Sequence, residues 1–213
     1  TDYKNFTMRP ELDPYHRFDI GVPPKSKGDY AFVLHMLNSL AENGRMGIVL
    51  PHGVLFRGSS EGKIRKQILE MNLLDCVIGL PSNLFFGTGI PAAILIFKKN
   101  RKRENLLFID ASQDGMYENG KNQNKLREED LQRIVEVYDK YETQDKFTYV
   151  ATPEEIREND YNLNIPRYVD TFEEEEPVDI DSVLREEEKI KGELEAVEAK
   201  LADYLSQLGI RGK

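Results

Sequence analysis

One stretch of about seventy residues, Asp29–Lys99, constrains the fold of this chain more than any other feature. After a helical pattern that ends near Gly44, two short apolar runs stop at Pro51 and at Pro81, and a third follows a glycine-rich loop. Short apolar runs bounded in this way are typical of buried strands in an open α/β sheet. The order helix, strand, helix, strand, loop, strand predicts the second half of such a sheet. We expect the first half, where a nucleotide cofactor would bind, to lie outside this chain.

Apolar periodicity predicts the bounds of the elements and their buried faces. The predicted strands are Met46–Leu50, Asp75–Leu80, Ala93–Phe97 and Leu106–Ile109. The first helix is predicted from an N-cap at Asp29 to about Glu42, and the side chains expected to be buried are Phe32, Met36, Leu37 and Leu40. A second helix is predicted to begin at Ser59 or Ser60, with a buried face formed by Ile64, Ile68, Leu69 and Met71.

The rest of the chain predicts fewer and shorter elements before its last helix. A helix is expected from about Glu128 to Tyr141, with an apolar side formed by Leu131, Ile134, Val135 and Tyr138. A short helix at Pro153–Asn159 and an extended segment at Asn162–Tyr168 follow. We therefore expect an α/β unit over residues 1–112, a helical and extended closing segment over 113–172, and a coiled-coil arm over 173–213.

The last element, about Asp181–Leu208, has the most regular pattern in the chain. Its apolar residues recur at alternating intervals of four and three, the mean 3.5-residue repeat of a coiled-coil seam. They are Ile190, Leu194, Val197, Leu201, Tyr204 and Leu208. About 28 residues of helix give an arm of roughly 40 Å. A lone helix cannot bury such a stripe, so the pattern predicts a partner helix; the alternative is packing against its own domain.

Charge is divided unevenly along the chain. The net charge is −9, but residues 1–110 carry 15 Lys and Arg against 11 Asp and Glu, whereas the remainder carries 14 against 27. The mildly basic front part is compatible with binding a phosphate backbone, and the acidic bias belongs to the second half.

Two further observations bear on where the protein works. No apolar run approaches the length of about 20 residues that a membrane helix needs, and the first residues do not form a secretory signal, so we expect no membrane association. Cys76 is the single cysteine and lies in a predicted strand, which excludes an internal disulfide and is typical of a buried apolar position in a cytoplasmic protein. The chain opens on Thr1 rather than Met, which suggests a fragment or a processed product.

Common catalytic patterns are missing from the sequence. The histidines, His16, His35 and His52, are not at metal-ligand spacing, and there is no Walker loop and no Gly-x-Ser-x-Gly. In open α/β sheets, ligands bind beyond the carboxyl ends of the strands. Phe85 and Phe86 follow one such end and either stack on a base or fill the core beneath the loop.

Two parts of the sequence resemble a known family. The run from PPKSKGDYAFVLHMLNSLAENG to LPSNLFFGTGIPAAILIFKK, and later ENDYNLNIPRYVD, closely resemble the modification (M) subunit of type I restriction-modification systems. The resemblance implies a Rossmann-like sheet with one strand inserted antiparallel, here supplied by the hairpin between Asp75–Leu80 and Ala93–Phe97. It also implies an adenine-N6 DNA methyltransferase that uses S-adenosylmethionine.

The family's two defining motifs, a Phe-x-Gly-x-Gly cofactor loop and Asn-Pro-Pro-Phe/Tyr, are expected to lie outside this chain, before Thr1. The resemblance therefore implies the C-terminal part of an M subunit, inactive alone. Its implied partners are a specificity (S) subunit, a second M subunit, a restriction (R) subunit and double-stranded DNA.

The resemblance also implies roles for particular residues. Phe86, with Phe85 as the second choice, is expected to contact the flipped base, and Pro51 and His52 to border the target pocket. Lys25 and Lys27 are expected to contact DNA phosphates or, alternatively, to form a solvated loop. The arm residues listed above would pair with helices of the S subunit.

A different reading is a non-catalytic assembly module that binds a coiled-coil partner. In either case an exposed strand edge at Met46–Leu50 would favour self-association.

Overall fold

The computed structural model describes residues 13–171 and 180–207 of the chain. The chain divides into two compact units between Thr171 and Phe172. In the described residues, the first unit contains a five-stranded sheet with helices on both faces, and the second contains one long helix. Residues 113–171 belong to the same compact unit as the sheet.

The strands of the first unit are β1 (Arg45–Pro51), β2 (Leu74–Gly79), β3 (Ala92–Lys98), β4 (Leu106–Asp110) and β5 (Thr148–Ala151). Its α-helices are α1 (Asp29–Ser39), α2 (Gly53–Phe56), α3 (Ser59–Glu70), α4 (Glu128–Lys140) and α5 (Pro153–Glu158), and a 3-10 turn follows at Ile165–Arg167. The second unit contains helix α6 (Ile180–Gln207).

The strand order is β1-β3-β2-β4-β5, and β3 lies antiparallel between β1 and β2. The predicted antiparallel insertion is therefore confirmed. Strand β4 lies parallel to β2, and β5 lies antiparallel to β4. Sequence analysis did not predict β5, whose four residues are too few to show a period. Within the described sheet, β1 is an edge strand, as expected.

The sheet separates two apolar cores. Strands β2 and β4 are buried along their whole length because helices cover both of their faces. Successive side chains alternate between the faces, so Val77 and Phe108 face the core beneath α1 and α3, whereas Cys76 and Leu107 face the core beneath α4. The prediction of a buried Cys76 is thus confirmed.

The elements of the first helices are confirmed, but some of their expected buried residues are wrong. Helix α1 buries Tyr30, Val33, Leu34 and Leu37, whereas Phe32 is 53% exposed. Burial of Tyr30 is possible because its hydroxyl donates to the carbonyl of Val54 at 2.9 Å. In α3 the prediction holds for Ile64 and Ile68, but Met71 lies beyond the helix and is exposed.

Helix α4 differs from its prediction in the same way. Ile134 is buried as expected, with Val137 beside it, but Leu131 and Val135 are exposed. The contact face also includes Asp130, whose carboxylate binds Arg127, so a hydrophobic stripe alone did not identify it.

The prediction that residues 162–168 form an extended segment is wrong, because Ile165–Arg167 forms a 3-10 turn. The turn lets Tyr168 stack on Phe108 of β4, with ring centroids 4.0 Å apart and nearly parallel planes. Leu163 and Ile165 are buried against the same face of the sheet. The closing segment is therefore part of the core of the first unit.

Helix α6 confirms the predicted helix, except that Leu208 lies outside the described residues. None of the helices in the described ranges has the length and apolar character required to cross a membrane.

Candidate functional site

Several chain segments meet at the carboxyl edge of the sheet, where β1, β2 and β4 end. Pro51 of β1 is paired with Ala92 at the start of β3, and the amide of Leu80 donates to the carbonyl of Ala92 at 2.9 Å. Gly79 at the end of β2 lies opposite Asp110 at the end of β4. The loop of residues 82–91, called the edge loop below, crosses this edge between β2 and β3. It is the location in which open α/β sheets bind ligands.

An apolar groove of about 230 Å³ lies where the edge loop meets β1. Its lining comes from both segments: Val49, Leu50, Pro51, Phe85, Thr88, Ile90, Pro91 and Ala92. The structure thus brings Phe85 and Pro51 to one groove, and the expected contact of these residues with a target base stays a prediction. The groove is lined by one aromatic and several aliphatic side chains, a surface suited to a flat, weakly polar ring.

The other two residues expected at the pocket lie outside this lining. Phe86 is 87% exposed, against 43% for Phe85, and it does not contribute to the groove. His52 lies at the start of α2 and donates from Nε2 to the carbonyl of Ala92 at 2.9 Å. That bond puts the lone pair of the neutral ring on Nδ1.

The environment of His52 favours its neutral form. Burial lowers the pKa of the imidazole, and the bond to Ala92 and the negative charge of Asp110 only partly oppose this effect. Because the side chain bridges β1 and β3, its direct contacts hold together the two strands that frame the groove.

The base of the edge loop is held by a pair of residues that sequence analysis missed. Asn124 donates from its side chain to the carbonyl of Ser82 at 2.9 Å and from its backbone to the carbonyl of Asn83 at 2.8 Å. The side chain of Gln123 donates to the carbonyl of Leu84. Three successive loop carbonyls are therefore satisfied by two successive residues. In the sequence these residues form part of Asn-Gln-Asn in a polar segment, a pattern that predicts only an ordinary turn.

The letters Phe-x-Gly-x-Gly do occur in this chain, at Phe85–Gly89. The expectation that this amino-acid pattern lies outside the chain is therefore wrong. A cofactor loop of that kind joins a strand to the N-terminus of a helix, whereas Phe85–Gly89 joins β2 to the antiparallel β3. The segment does not have the geometry of a cofactor cradle.

Basic residues lie in the segments next to α1 and α2. Lys25 and Lys27 are exposed in a turn before α1, closed by a bond from the Lys27 amide to the Pro24 carbonyl at 3.1 Å. Arg57, which follows α2, binds Asp29 at 2.7 Å and Glu61 at 3.1 Å.

The carboxylate of Glu61 is 3% exposed. Burial raises its pKa, while the positive charges of Arg57, Arg65 and Lys27 oppose that rise. Arg57 thus joins the N-terminus of α1 to the N-terminus of α3.

The second unit presents its apolar stripe to solvent. The predicted stripe residues that are described have exposed fractions of 55–62%; they are Ile190, Leu194, Val197, Leu201 and Tyr204. Among the described residues of both units, no group of three His, Cys, Asp or Glu side chains is placed to hold a metal ion.

The first unit is therefore an α/β sheet with an apolar groove at its carboxyl edge. A family model described as N-6 DNA Methylase matches residues 3–177, and the chain therefore belongs to that family. It is similar to the methylase subunit of the type I restriction enzyme MjaVII from Methanocaldococcus jannaschii, with 39% identity over 189 residues, 87% of this chain and 32% of that protein.

Solved structures agree with the family. The type I restriction-modification system methyltransferase subunit from Streptococcus thermophilus aligns with a TM-score of 0.71 and 53% identity, over 75% of this chain and 34% of that one. The type I restriction enzyme EcoKI M protein has a similar fold, with a TM-score of 0.57 and 19% identity over 90% of this chain and 46% of that one. The chain spans about a third of the length of the curated relatives it matches.

Proposed function

We propose that this chain is the C-terminal part of the M subunit of a type I restriction-modification system. The proposed subunit methylates N6 of adenine in double-stranded DNA with S-adenosylmethionine, together with an S subunit, a second M subunit and an R subunit. Membership of the N-6 DNA methylase family and the similarity to type I methylase subunits support the proposal.

The proposed role of the first unit is to form one wall of the target-base pocket. The groove with Phe85 and Pro51 carries this proposal, because an adenine flipped out of the duplex needs an aromatic or apolar surface to replace its stacking. We assign to Phe86, which is exposed on the same loop, a contact with DNA beside the groove, and to His52 a supporting role through its bond to Ala92. Lys25 and Lys27 are proposed to bind phosphates, which fix the position of the duplex without reading its sequence.

The reaction needs the adenine held against the methyl donor, and alignment of this kind accounts for a large part of the rate. S-adenosylmethionine supplies the methyl group. The segment Phe85–Gly89 does not fit as its cradle, since it lies between antiparallel strands. We therefore assign contact with the target base and binding of the partner subunit to this chain. We assign binding of S-adenosylmethionine to the rest of the proposed subunit.

The test replaces Phe85 and Phe86 separately by alanine in the full-length subunit, assembled with its S subunit. Phe85→Ala is expected to reduce methyl transfer about tenfold or more, since stacking on an aromatic side chain is worth roughly 1–3 kcal/mol per base. Phe32→Ala, which removes an exposed aromatic from α1, is the control. Methyl incorporation and the fluorescence of 2-aminopurine at the target position are the measurements. Unchanged methylation in both edge-loop variants would refute the base-contact role.

The proposed role of α6 is to bind helices of the S subunit through its exposed stripe. Leu194→Glu with Leu201→Glu is expected to abolish assembly, because two charges would be buried in the seam. Ala196→Glu with Ala199→Glu adds the same charges to the other side of the helix and should leave assembly intact. Assembly retained by the Leu194 and Leu201 variant would contradict the docking role.

The alternative is an assembly module without a catalytic role. It predicts loss of function from the α6 changes only, and no effect of the Phe85 change on methylation. The apolar groove at the edge loop favours the first function, since a scaffold does not require it.

A further inference from the structure

Helix α6 carries its exposed stripe between two flanks whose charges change sign along the helix. The seven positions of a coiled-coil repeat are labelled a to g, and positions a and d form the apolar seam. In α6, Leu194 and Leu201 occupy position a, and Ile190, Val197 and Tyr204 occupy position d. The g flank then has Glu193 followed by Lys200, and the e flank has Lys191 followed by Glu198. One flank therefore runs from acidic to basic, and the other runs from basic to acidic.

This reversal makes the helix complementary to itself when a second helix runs in the opposite direction. In an antiparallel pair centred between Glu195 and Ala196, Glu193 lies near Lys200 of the second copy, and Lys191 lies near Glu198 of the second copy. Two-fold symmetry repeats each contact, which gives four attractive pairs. A partner of unrelated sequence would need a matching pattern, which the second copy supplies automatically.

The apolar residues fit the same register. Ile190 faces Leu201 of the second copy, and Leu194 faces Val197, so the symmetric pair has four consecutive apolar layers. At both ends Tyr204 faces Glu187, where the phenol can donate to the carboxylate. Within one helix Lys191 Nζ lies 2.7 Å from Glu187, so this lysine is shared between Glu187 and Glu198 of the second copy.

A parallel pair is less favourable. It would place Glu187 against Glu187 of the second copy at an a position, and Glu193 against Glu198 across the seam. Only Glu186 with Lys191 would be attractive. Like charges at these positions oppose pairing, so orientation is decided by the flanks.

We propose that α6 pairs antiparallel with α6 of a second copy of this chain, about a two-fold axis between Glu195 and Ala196. The pairing depends neither on methyl transfer nor on the S subunit. Pairing of two α6 helices is compatible with S-subunit binding, since helices with apolar residues at positions a and d also assemble in bundles of more than two helices.

The first experiment is a charge exchange in the full 213-residue chain without an S subunit, measured by sedimentation equilibrium. Glu193→Lys and Lys200→Glu, made singly, are each expected to weaken the dimer about tenfold, because two attractive pairs become repulsive. The double variant is expected to restore the wild-type affinity. Strengthening by Glu193→Lys alone would indicate parallel pairing and overturn the proposal, as would a monomeric chain or a dimer insensitive to both changes.

The second experiment tests the register by disulfide trapping. A mixture of Ile190→Cys and Leu201→Cys chains should form a cross-linked dimer under mild oxidation. Neither variant should cross-link to itself, because identical positions would be offset by eleven residues, about 16 Å. Cys76 is fully buried and does not compete. Self-cross-linking of Ile190→Cys would overturn the antiparallel register. Because these tests omit DNA and the S subunit, a negative result leaves the proposed methyltransferase function unaffected.

Discussion

Asp75 offers the strongest single test of what holds the first unit together. Its buried carboxylate accepts hydrogen bonds from Arg101 Nε at 2.9 Å, from Lys98 Nζ at 2.8 Å and from the Tyr138 hydroxyl at 2.6 Å. The side chain of Arg101 is only 3% exposed. Asp75 therefore joins β2 to α4 and to the segment after β3, and it neutralises a guanidinium that has little contact with water.

We expect Asp75→Asn to destabilise the unit strongly. The asparagine keeps the shape of the side chain but leaves the Arg101 charge buried without a counter-ion, a change that costs about 3–5 kcal/mol. For a unit of this size, each kcal/mol corresponds to roughly 2–4 °C, so the melting temperature should fall by roughly 6–20 °C. Asp139→Asn, an exposed position on α4, is the matched control and should change stability little.

The assay is urea unfolding followed by near-ultraviolet circular dichroism of the tyrosines. The chain has 10 tyrosines and no tryptophan. All but Tyr204 precede Phe172, so the signal reports mainly on the first unit. A loss below about 1 kcal/mol for Asp75→Asn, within the range of an exposed substitution, would refute the reasoning. Adding Arg101→Met to Asp75→Asn should recover part of the stability, because the unpaired charge is then removed.

The same carboxylate gives a pH dependence with a definite sign. Burial alone would raise the pKa of Asp75, but the bonds from Lys98 and Tyr138 and the charge of Arg101 outweigh burial and hold the pKa below its usual range. Because folding lowers the pKa, the stabilisation is complete above the unfolded value of about 3.9 and is lost as the pH falls through the folded value. The stability difference between wild type and Asp75→Asn should therefore shrink in acid. A difference that grows as the pH falls would contradict this.

Three smaller predictions concern other parts of the first unit. Gly79→Ala should cost about 1–3 kcal/mol in urea unfolding, because the new Cβ would lie 2.6 Å from Ile165 Cδ1; a neutral change would contradict the close packing of β2 on the closing segment. Cys76 should react with a thiol reagent only on unfolding, since it is fully buried and burial raises its pKa well above the ordinary value; rapid labelling of the folded chain would be inconsistent with this burial. Asn124→Ala should increase proteolytic cleavage within the edge loop while leaving the melting temperature nearly unchanged, and an unchanged cleavage rate would show that its side chain does not restrain the loop.

Local sequence signals predicted much of the sheet because proline and glycine mark the ends of its strands. Each of the strands predicted between Met46 and Ile109 is present, with bounds that differ by one residue at most. The antiparallel hairpin was implied by the family resemblance rather than by periodicity. Strand β5 could not be predicted from four residues, since it forms only because β4 offers an unpaired edge.

The site was predicted less completely, because it depends on contacts between distant segments. The edge loop follows directly from its position after β2, and the pairing of Pro51 with Ala92 brings Phe85 beside β1. Two adjacent phenylalanines are indistinguishable by pattern, and only the path of the loop decides which one lines the groove. The bonds from Gln123 and Asn124 link residues some forty positions apart in the chain, which no local signal encodes.

The sequence by itself determined the kind of most elements, the apolar repeat of α6 and the family resemblance, because each depends on spacing and residue type within a short segment. It did not predict α2, β5 or the 3-10 turn at Ile165–Arg167. The tertiary structure decided which side of each helix is buried. Phe32 and Leu131 lie in correctly predicted helices yet face solvent, while Tyr30 and Asp130 are buried because they find polar partners in Val54 and Arg127. Hydrophobicity measures the gain from burial, but a helix packs on the face for which the whole set of apolar and polar contacts has the lowest free energy.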